Sequence, residues 1–158
     1  MLQSYDEKEF IIMASKTKPM VQKYPLKQKI NSGSELLYEY CKNIKNWSVS
    51  WKISTEDLAI GEEITEQFKQ FLINRIEKGR AKRTIRRYAD YLWVLGGELI
   101  RRINEDDIER SLIATDLILK YIDDDGGPYW RHARDETEHA EYDSVCRHLF
   151  KFMTTNPN

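Results

Sequence analysis

FKQFLINRIEKGRAKRTIRRYADYLWVL, Phe68–Leu95, decides the fold. Phe68, Phe71, Leu72 and Ile76 continue a stripe begun at Ile64, and their steps of three and four predict an amphipathic helix. Gly79 is placed to stop that helix as the residue just past its C-cap. Thr84 then predicts the cap of a second helix, IRRYADYLWVL, with Ile85, Tyr88, Leu92 and Leu95 on its apolar face.

Working outward, Ser34 predicts the cap of a first helix, SELLYEYCKNIKNW, whose Leu37, Tyr40, Cys41 and Ile44 share a face. SVSWKIS reads as a connector. Ser54 and Asp57 have capping-box spacing at the start of the helix that contains Phe68, and Glu56, Asp57, Glu62 and Glu63 suit its positive end. Gly96 and Gly97 are expected to break or bend the chain, or else to allow close helix packing. Asn104, followed by Glu105, Asp106 and Asp107, predicts the start of one helix through DDIERSLIATDLILKYI, with Ile108, Leu112, Thr115, Leu119 and Ile122 at helical spacing. DDDGGPYW ends it. A last helix is expected over 135–153, burying Tyr142, Cys146, Leu149 and Met153. No alternating apolar pattern predicts a strand. The expected fold is therefore all-α, a compact bundle of about five helices forming one domain over 34–153. Residues 1–33, with Pro19 and Pro25, read as a mobile or loosely docked arm, and 154–158 as a tail.

At 158 residues the chain suits one core rather than two. Its 41% hydrophobic and 32% charged residues predict a soluble globular protein. No apolar run approaches the roughly 20 residues that cross a bilayer, so no membrane partner is expected. MLQSYDEKEF lacks the basic and apolar regions of a secretory signal, so the cytoplasm is the expected location. Cys41 and Cys146 fall in apolar helical patterns and are expected to be buried free thiols.

The net charge of −1 hides a segregation. Thr65–Arg102 holds 10 Lys or Arg against 4 acids, and Ile103–Asp143 holds 4 against 13. On a wheel of about 100° per residue, Arg83, Arg86 and Arg87 lie opposite the apolar face, with Asp90 among them. Lys78, Arg80 and Lys82 in the preceding loop surround the helix start. Free N–H groups there already favour anions, and cations at that end cost a few tenths of a kcal/mol each. Two readings are open: the arc binds the phosphates of duplex DNA, or it is a solvated face whose counter-charges are the acids of residues 105–143.

FKQFLINRIEKGRAKRTIRRYADYLWVL, with EDDIERSLIATDLILKYI and EYDSVCRHLFKFM, resembles the helical core-binding domain of tyrosine recombinases, the phage-integrase family. The resemblance spans about residues 54–153 and rests mainly on Thr84, Tyr88, Leu92, Ile108, Leu149 and Phe150 in a helical framework. LWVLGGELIR, DGGP and YDSVCRHL are similar, more narrowly, to small bacterial proteins built on this module alone, which implies no activity. The family uses the domain as one jaw of a clamp on duplex DNA. That implies phosphate contacts from Lys78, Arg80, Lys82, Arg83, Arg86 and Arg87, and a place in a mobile element or its regulation. The chain departs from the family in lacking a catalytic domain, and WRHARDETEH contains no His-x-x-Arg, so the resemblance implies a grip and no strand cleavage.

Other constellations point to structural roles. His132, His139 and Cys146 recur every seven residues, an advance of about 10.5 Å, too far for one ion, so no metal site is expected. In YIDDDGG, Pro128 stands at the sixth position from Asp123, where a calcium loop requires Gly. WVLGGEL lacks the spacing of a dinucleotide fingerprint, and no cofactor is expected. Trp47, Trp51, Trp93 and Trp130 read as core or boundary residues before they read as stacking platforms. No nucleophile–base pattern predicts an enzyme. The runner-up function is a protein-interaction adaptor using the acidic and N-terminal segments, with self-association of basic on acidic faces.

Overall fold

The computed structural model describes residues 32–155, the side chain of Ile108 excepted, so the expected arm falls outside it apart from Ser32 and Gly33, and the tail apart from Thr154 and Thr155. The described chain is all-α. Helices α1 (Gly33–Tyr40), α2 (Trp47–Trp51), α3 (Asp57–Glu77), α4 (Lys82–Glu105), α5 (Asp107–Arg110), α6 (Ala114–Tyr121) and α7 (Glu136–Thr155) follow in order, with a 3-10 turn at Ile44–Asn46. Long helices α3 and α4 form the centre. Helices α1, α2 and α6 pack on α3, and α7 packs on α4.

Ser32, not Ser34, caps α1. Its Oγ accepts from the Glu35 N–H at 3.2 Å, and Glu35 Oε1 accepts from the Ser32 N–H at 2.9 Å, a reciprocal capping box. The earlier start brings Gly33 against α3, where an added Cβ would lie 2.9 Å from Ile73 Cγ2.

The first helix does not run on to Trp47. It ends at Tyr40, and SVSW, expected as connector, forms most of α2. The reason is tertiary. Trp47 and Trp51 stand one turn apart, both buried, with ring centroids 5.7 Å from each other and edge contacts to Phe68 at 6.5 and 6.3 Å. The Trp51 indole N–H donates to the Trp93 carbonyl at 2.9 Å, tying α2 to α4.

Gly96 explains why that contact is possible, and it overturns the expected break. Helix α4 continues through Gly96 and Gly97 without interruption. A Cβ on Gly96 would overlap the Trp51 ring, whereas one on Gly97 would make ordinary contact, 3.6 Å from Trp51 Cδ1. Gly96 serves close packing, the second of the two expectations.

The helix expected over 104–122 is two. Asn104 belongs to α4, the chain turns at Asp106, and extended backbone at Ile113 (ψ 160°) separates α5 from α6. Expected core position Ile108 lies outside the described side chains. A long-range bond explains the break. Arg110 Nη2 donates to Asp57 Oδ1 at 2.9 Å and to Asn104 Oδ1 at 3.0 Å. Asp57 is fully buried. It also accepts from the backbone N–H groups of Ile53 at 2.7 Å and Ser54 at 2.9 Å, and from Asn104 Nδ2 at 3.1 Å. The Ser54–Asp57 spacing thus delivers one half of a capping box, the carboxylate half. Burial pushes the Asp57 carboxyl up, but its hydrogen bonds to Ser54, Ile53, Asn104 and Arg110 outweigh burial and hold it below the usual range.

Side chains from every layer fill the interior, among them Leu37, Phe68, Phe71, Leu92, Leu99, Ile118, Tyr142 and Leu149. Each contributes about 1.5–3 kcal/mol by leaving water. Met153, expected to be buried, is only partly buried and packs against the core near the end of α7.

The two glycines make opposite predictions. Gly96→Ala is expected to lose about 1–3 kcal/mol in urea unfolding, because overpacking against Trp51 exceeds the gain in helix propensity. Gly97→Ala is expected to gain about 0.5–1 kcal/mol from that propensity. Asp57→Ala, which leaves Arg110 and two N–H groups without their acceptor, is expected to cost about 3 kcal/mol. Because the folded Asp57 carboxyl titrates below its unfolded value of about 4, its contribution is complete above about pH 4 and is lost as pH falls through the lower folded value. Urea midpoints measured between pH 6 and 2 should show that loss in the native protein, and a shallower one in Asp57→Asn.

Candidate nucleic-acid interface

The α3–α4 connection is fixed by backbone chemistry before any charge is considered. Gly79 has φ 86°, left-handed backbone that suits glycine. The Gly79 N–H donates to the Ile76 carbonyl at 2.9 Å and the Arg80 N–H to the Arg75 carbonyl at 3.1 Å, the paired bonds of a Schellman stop. Only Arg80 and Ala81 then separate this glycine from Lys82, the first residue of α4.

Thr84 is not the cap of α4. The capping position is Ala81, which has no side-chain acceptor, so Lys82, Arg83 and Thr84 form the first turn and no acid is among them. The helix therefore starts one turn earlier than predicted, and two cations stand in its positive end. No side chain of the cap competes for an incoming anion.

All six predicted cations, Lys78, Arg80, Lys82, Arg83, Arg86 and Arg87, are exposed. Lys82, Arg83, Arg86 and Arg87 come together along one groove of about 840 Å³ that Thr84, Asp90 and Glu141 complete. Lys78 and Arg80 stay on the loop outside its lining. Lys82 Nζ lies 5.5 Å from the Tyr40 ring centroid, and the Arg87 guanidinium 5.9 Å from that of Tyr88.

None of the six forms an ion pair with a described carboxylate. The described pairs go elsewhere: Lys69 with Glu66 at 3.4 Å, Arg110 with Asp57 at 2.9 Å, Lys120 with Glu109 at 2.8 Å, Arg134 with Glu138 at 2.9 Å, and Arg101 with Glu98 and Glu105, each at 2.7 Å, while Asp143 meets His139 Nδ1 at 3.1 Å. Asp123 accepts from the N–H groups of Asp125 and Gly126 in its own turn, and Asp135 from the Glu138 N–H. Much of the acidic segment is thus satisfied by nearby cations and backbone. Within the groove, burial raises the Asp90 carboxyl and Arg86 partly offsets the rise. On α3, burial lowers the Arg75 guanidinium, Tyr88 opposes the shift and Arg80 adds to it.

The histidines have local partners. His139 Nε2 accepts from the Trp130 N–H at 3.2 Å, which places the proton of the neutral ring on Nδ1, facing Asp143 Oδ2. His148 Nδ1 bonds the Ser144 carbonyl at 2.6 Å, and His132 is exposed outside the helices. Among the described residues no three His, Cys, Asp or Glu side chains converge on a point that one ion could occupy. Both cysteines are buried and free. Burial, with the Asp90 charge adding to it, pushes the Cys41 thiol up to about 11, and burial pushes Cys146 up to about 12.

Aromatic residues beside the arc are what the sequence reading underweighted. Trp93 is 44% exposed, and with Tyr40 it lines a cleft adjoining the groove. A signal existed: Lys82, Arg86, Asp90 and Trp93 follow one another at steps of four, four and three, a single stripe of α4. Comparison with protein-family models, curated proteins and solved structures finds no match for this chain. Among the described residues no helix is long and apolar enough to cross a membrane.

The raised thiols predict slow chemistry. At pH 8, moving a thiol from its ordinary value of 9.0 to about 11 cuts its thiolate fraction by about 100-fold. Ellman's reagent is therefore expected to label the native protein slowly and the urea-unfolded protein at once.

Proposed function

We propose that this chain is a non-catalytic DNA-binding module that grips duplex phosphates through the start of α4. One observation carries the reading: four exposed cations share a groove at an uncapped helix N-terminus, and none forms an ion pair with a described carboxylate. The core-binding resemblance points the same way and rests on the residues quoted for it. The adaptor reading would draw on the acidic segment, where Glu109 and Glu138 are held by Lys120 and Arg134 while Asp107, Asp116, Asp124, Asp125 and Glu136 are exposed.

The chemistry is electrostatic and independent of base identity. Backbone N–H groups of the first turn and the guanidinium forks of Arg83, Arg86 and Arg87 suit phosphate oxygens, and Lys82 adds a point charge. Asp90 and Glu141 set the edges of the groove. Glu141 Oε1 is committed to the Tyr91 hydroxyl, which donates to it at 2.8 Å.

Duplex binding is expected to weaken with salt, with a log–log slope of about −4 for about four phosphate contacts. Replacing Arg83, Arg86 and Arg87 together by Glu is expected to abolish the gel shift while far-UV circular dichroism stays unchanged. An unaltered affinity in that variant would sink the proposal.

A further inference from the structure

Lys82, Arg86 and Asp90 belong to two depressions at once. On one side they line the phosphate groove, and on the other they line a cleft of about 810 Å³ whose further walls include Tyr40, Trp47 and Trp93. These three residues therefore form the seam between a groove lined by charged and hydroxyl side chains and a cleft that includes aromatic ones.

The two sides differ in chemistry. Trp47 is buried and belongs to the floor of the cleft, and Ala89 adds a small apolar surface beside it. Trp93 is different: its indole N–H donates to Ser50 Oγ at 2.9 Å, so the ring is held in place while nearly half of the residue remains exposed. A fixed, exposed indole within one helical turn of Asp90 and two turns of Arg86 is the arrangement that base stacking requires. Stacking of a nucleobase on an aromatic side chain contributes about 1–3 kcal/mol and accepts any base.

Size and charge select the ligand further. A cleft of about 810 Å³ is large enough to take one nucleotide. Lys82 and Arg86 on the seam attract its phosphate. Asp90, between them and Trp93 along the helix, repels phosphate and accepts hydrogen bonds from amino or imino groups on a base edge, which orients the nucleotide base-inward.

We infer that this cleft receives a single unpaired nucleotide of the DNA held in the groove, its base stacked on Trp93 and its phosphate at Lys82 and Arg86. The inference rests on the phosphate-grip reading, since the same backbone that tracks the groove delivers the nucleotide to the seam. A base inside an intact duplex reaches the cleft only after unstacking and unpairing, a cost that is least for a base already unpaired. The protein therefore prefers DNA with an unpaired nucleotide over the fully paired duplex.

The test uses the full chain and two fluorescein-labelled duplexes, identical except for one bulged nucleotide at the centre of the second, in anisotropy titrations at constant salt. Wild type is expected to bind the bulged duplex at least about tenfold more tightly, which corresponds to about 1.4 kcal/mol. Trp93→Ala should erase that preference and leave affinity for the paired duplex within about twofold. Trp93→Phe, which keeps a ring but not the bond to Ser50, should retain a reduced preference, and circular dichroism verifies folding of both variants. Equal affinity of wild type for the two duplexes overturns the nucleotide cleft and leaves the phosphate grip standing. A preference that survives in folded Trp93→Ala also overturns it. Failure to bind either duplex overturns both readings.

Discussion

The carboxylate of Asp57 is the junction on which the arrangement of helices depends. It has no contact with water, yet it gathers donors from the α2–α3 turn, from Asn104 near the end of α4, and from Arg110 in α5. Breaking such a set leaves an uncompensated buried charge, which is why it acts as a specification of geometry rather than as a general adhesive. Its position matters as much as its strength. Clamping the start of α3 to the end of α4 makes the two long helices antiparallel and sends the opposite ends, at Glu77 and Lys82, to the Gly79 turn. The cationic arc is therefore presented at the end of the bundle remote from the clamp.

Helix content was legible because the apolar stripes of α3, α4 and α7 repeat without conflict, and Gly79 marked its stop through a single local requirement on φ. What was illegible depended on residues distant in sequence. WSVSW forms a helix because Trp47 and Trp51 meet Phe68, and nothing local to those five residues announces that partner. Two adjacent glycines look like a break until Trp51 is seen lying on one of them. Asp57 looked like half of a capping pair, and the partners that matter, Asn104 and Arg110, are 47 and 53 residues away. For the site, the cations were readable as a run along the chain. Trp93 was readable on the same stripe of α4, but their union with Tyr40 was not, because Tyr40 arrives from another helix.

Charge segregation along the chain becomes segregation in space, but not by the route that neutral composition suggests. Some acids of the second half are met within their own neighbourhood, Glu105 and Glu138 at helical i, i+4 spacing. Exposed pairs of this kind contribute little to stability, with typical values of about 0–1 kcal/mol. Their larger effect is on the field outside the molecule. Each local pairing removes a counter-charge from reach of Arg83, Arg86 and Arg87, so a near-neutral chain still offers a concentrated positive potential at one end, of the sort that steers anionic ligands.

The two faces of α4 also carry different evolutionary freedoms. Ile85, Leu92, Leu95 and Gly96 are buried among other helices, and a side chain at Gly96 meets Trp51. Arg83, Arg86 and Arg87 are exposed, where substitutions away from special features usually change stability by less than about 0.5 kcal/mol. A lineage carrying this scaffold can therefore exchange, add or lose charges along the outer arc one at a time without passing through unfolded intermediates. Charge and core contact thus lie on separate faces of one helix, so the outer arc can change while the bundle itself stands still.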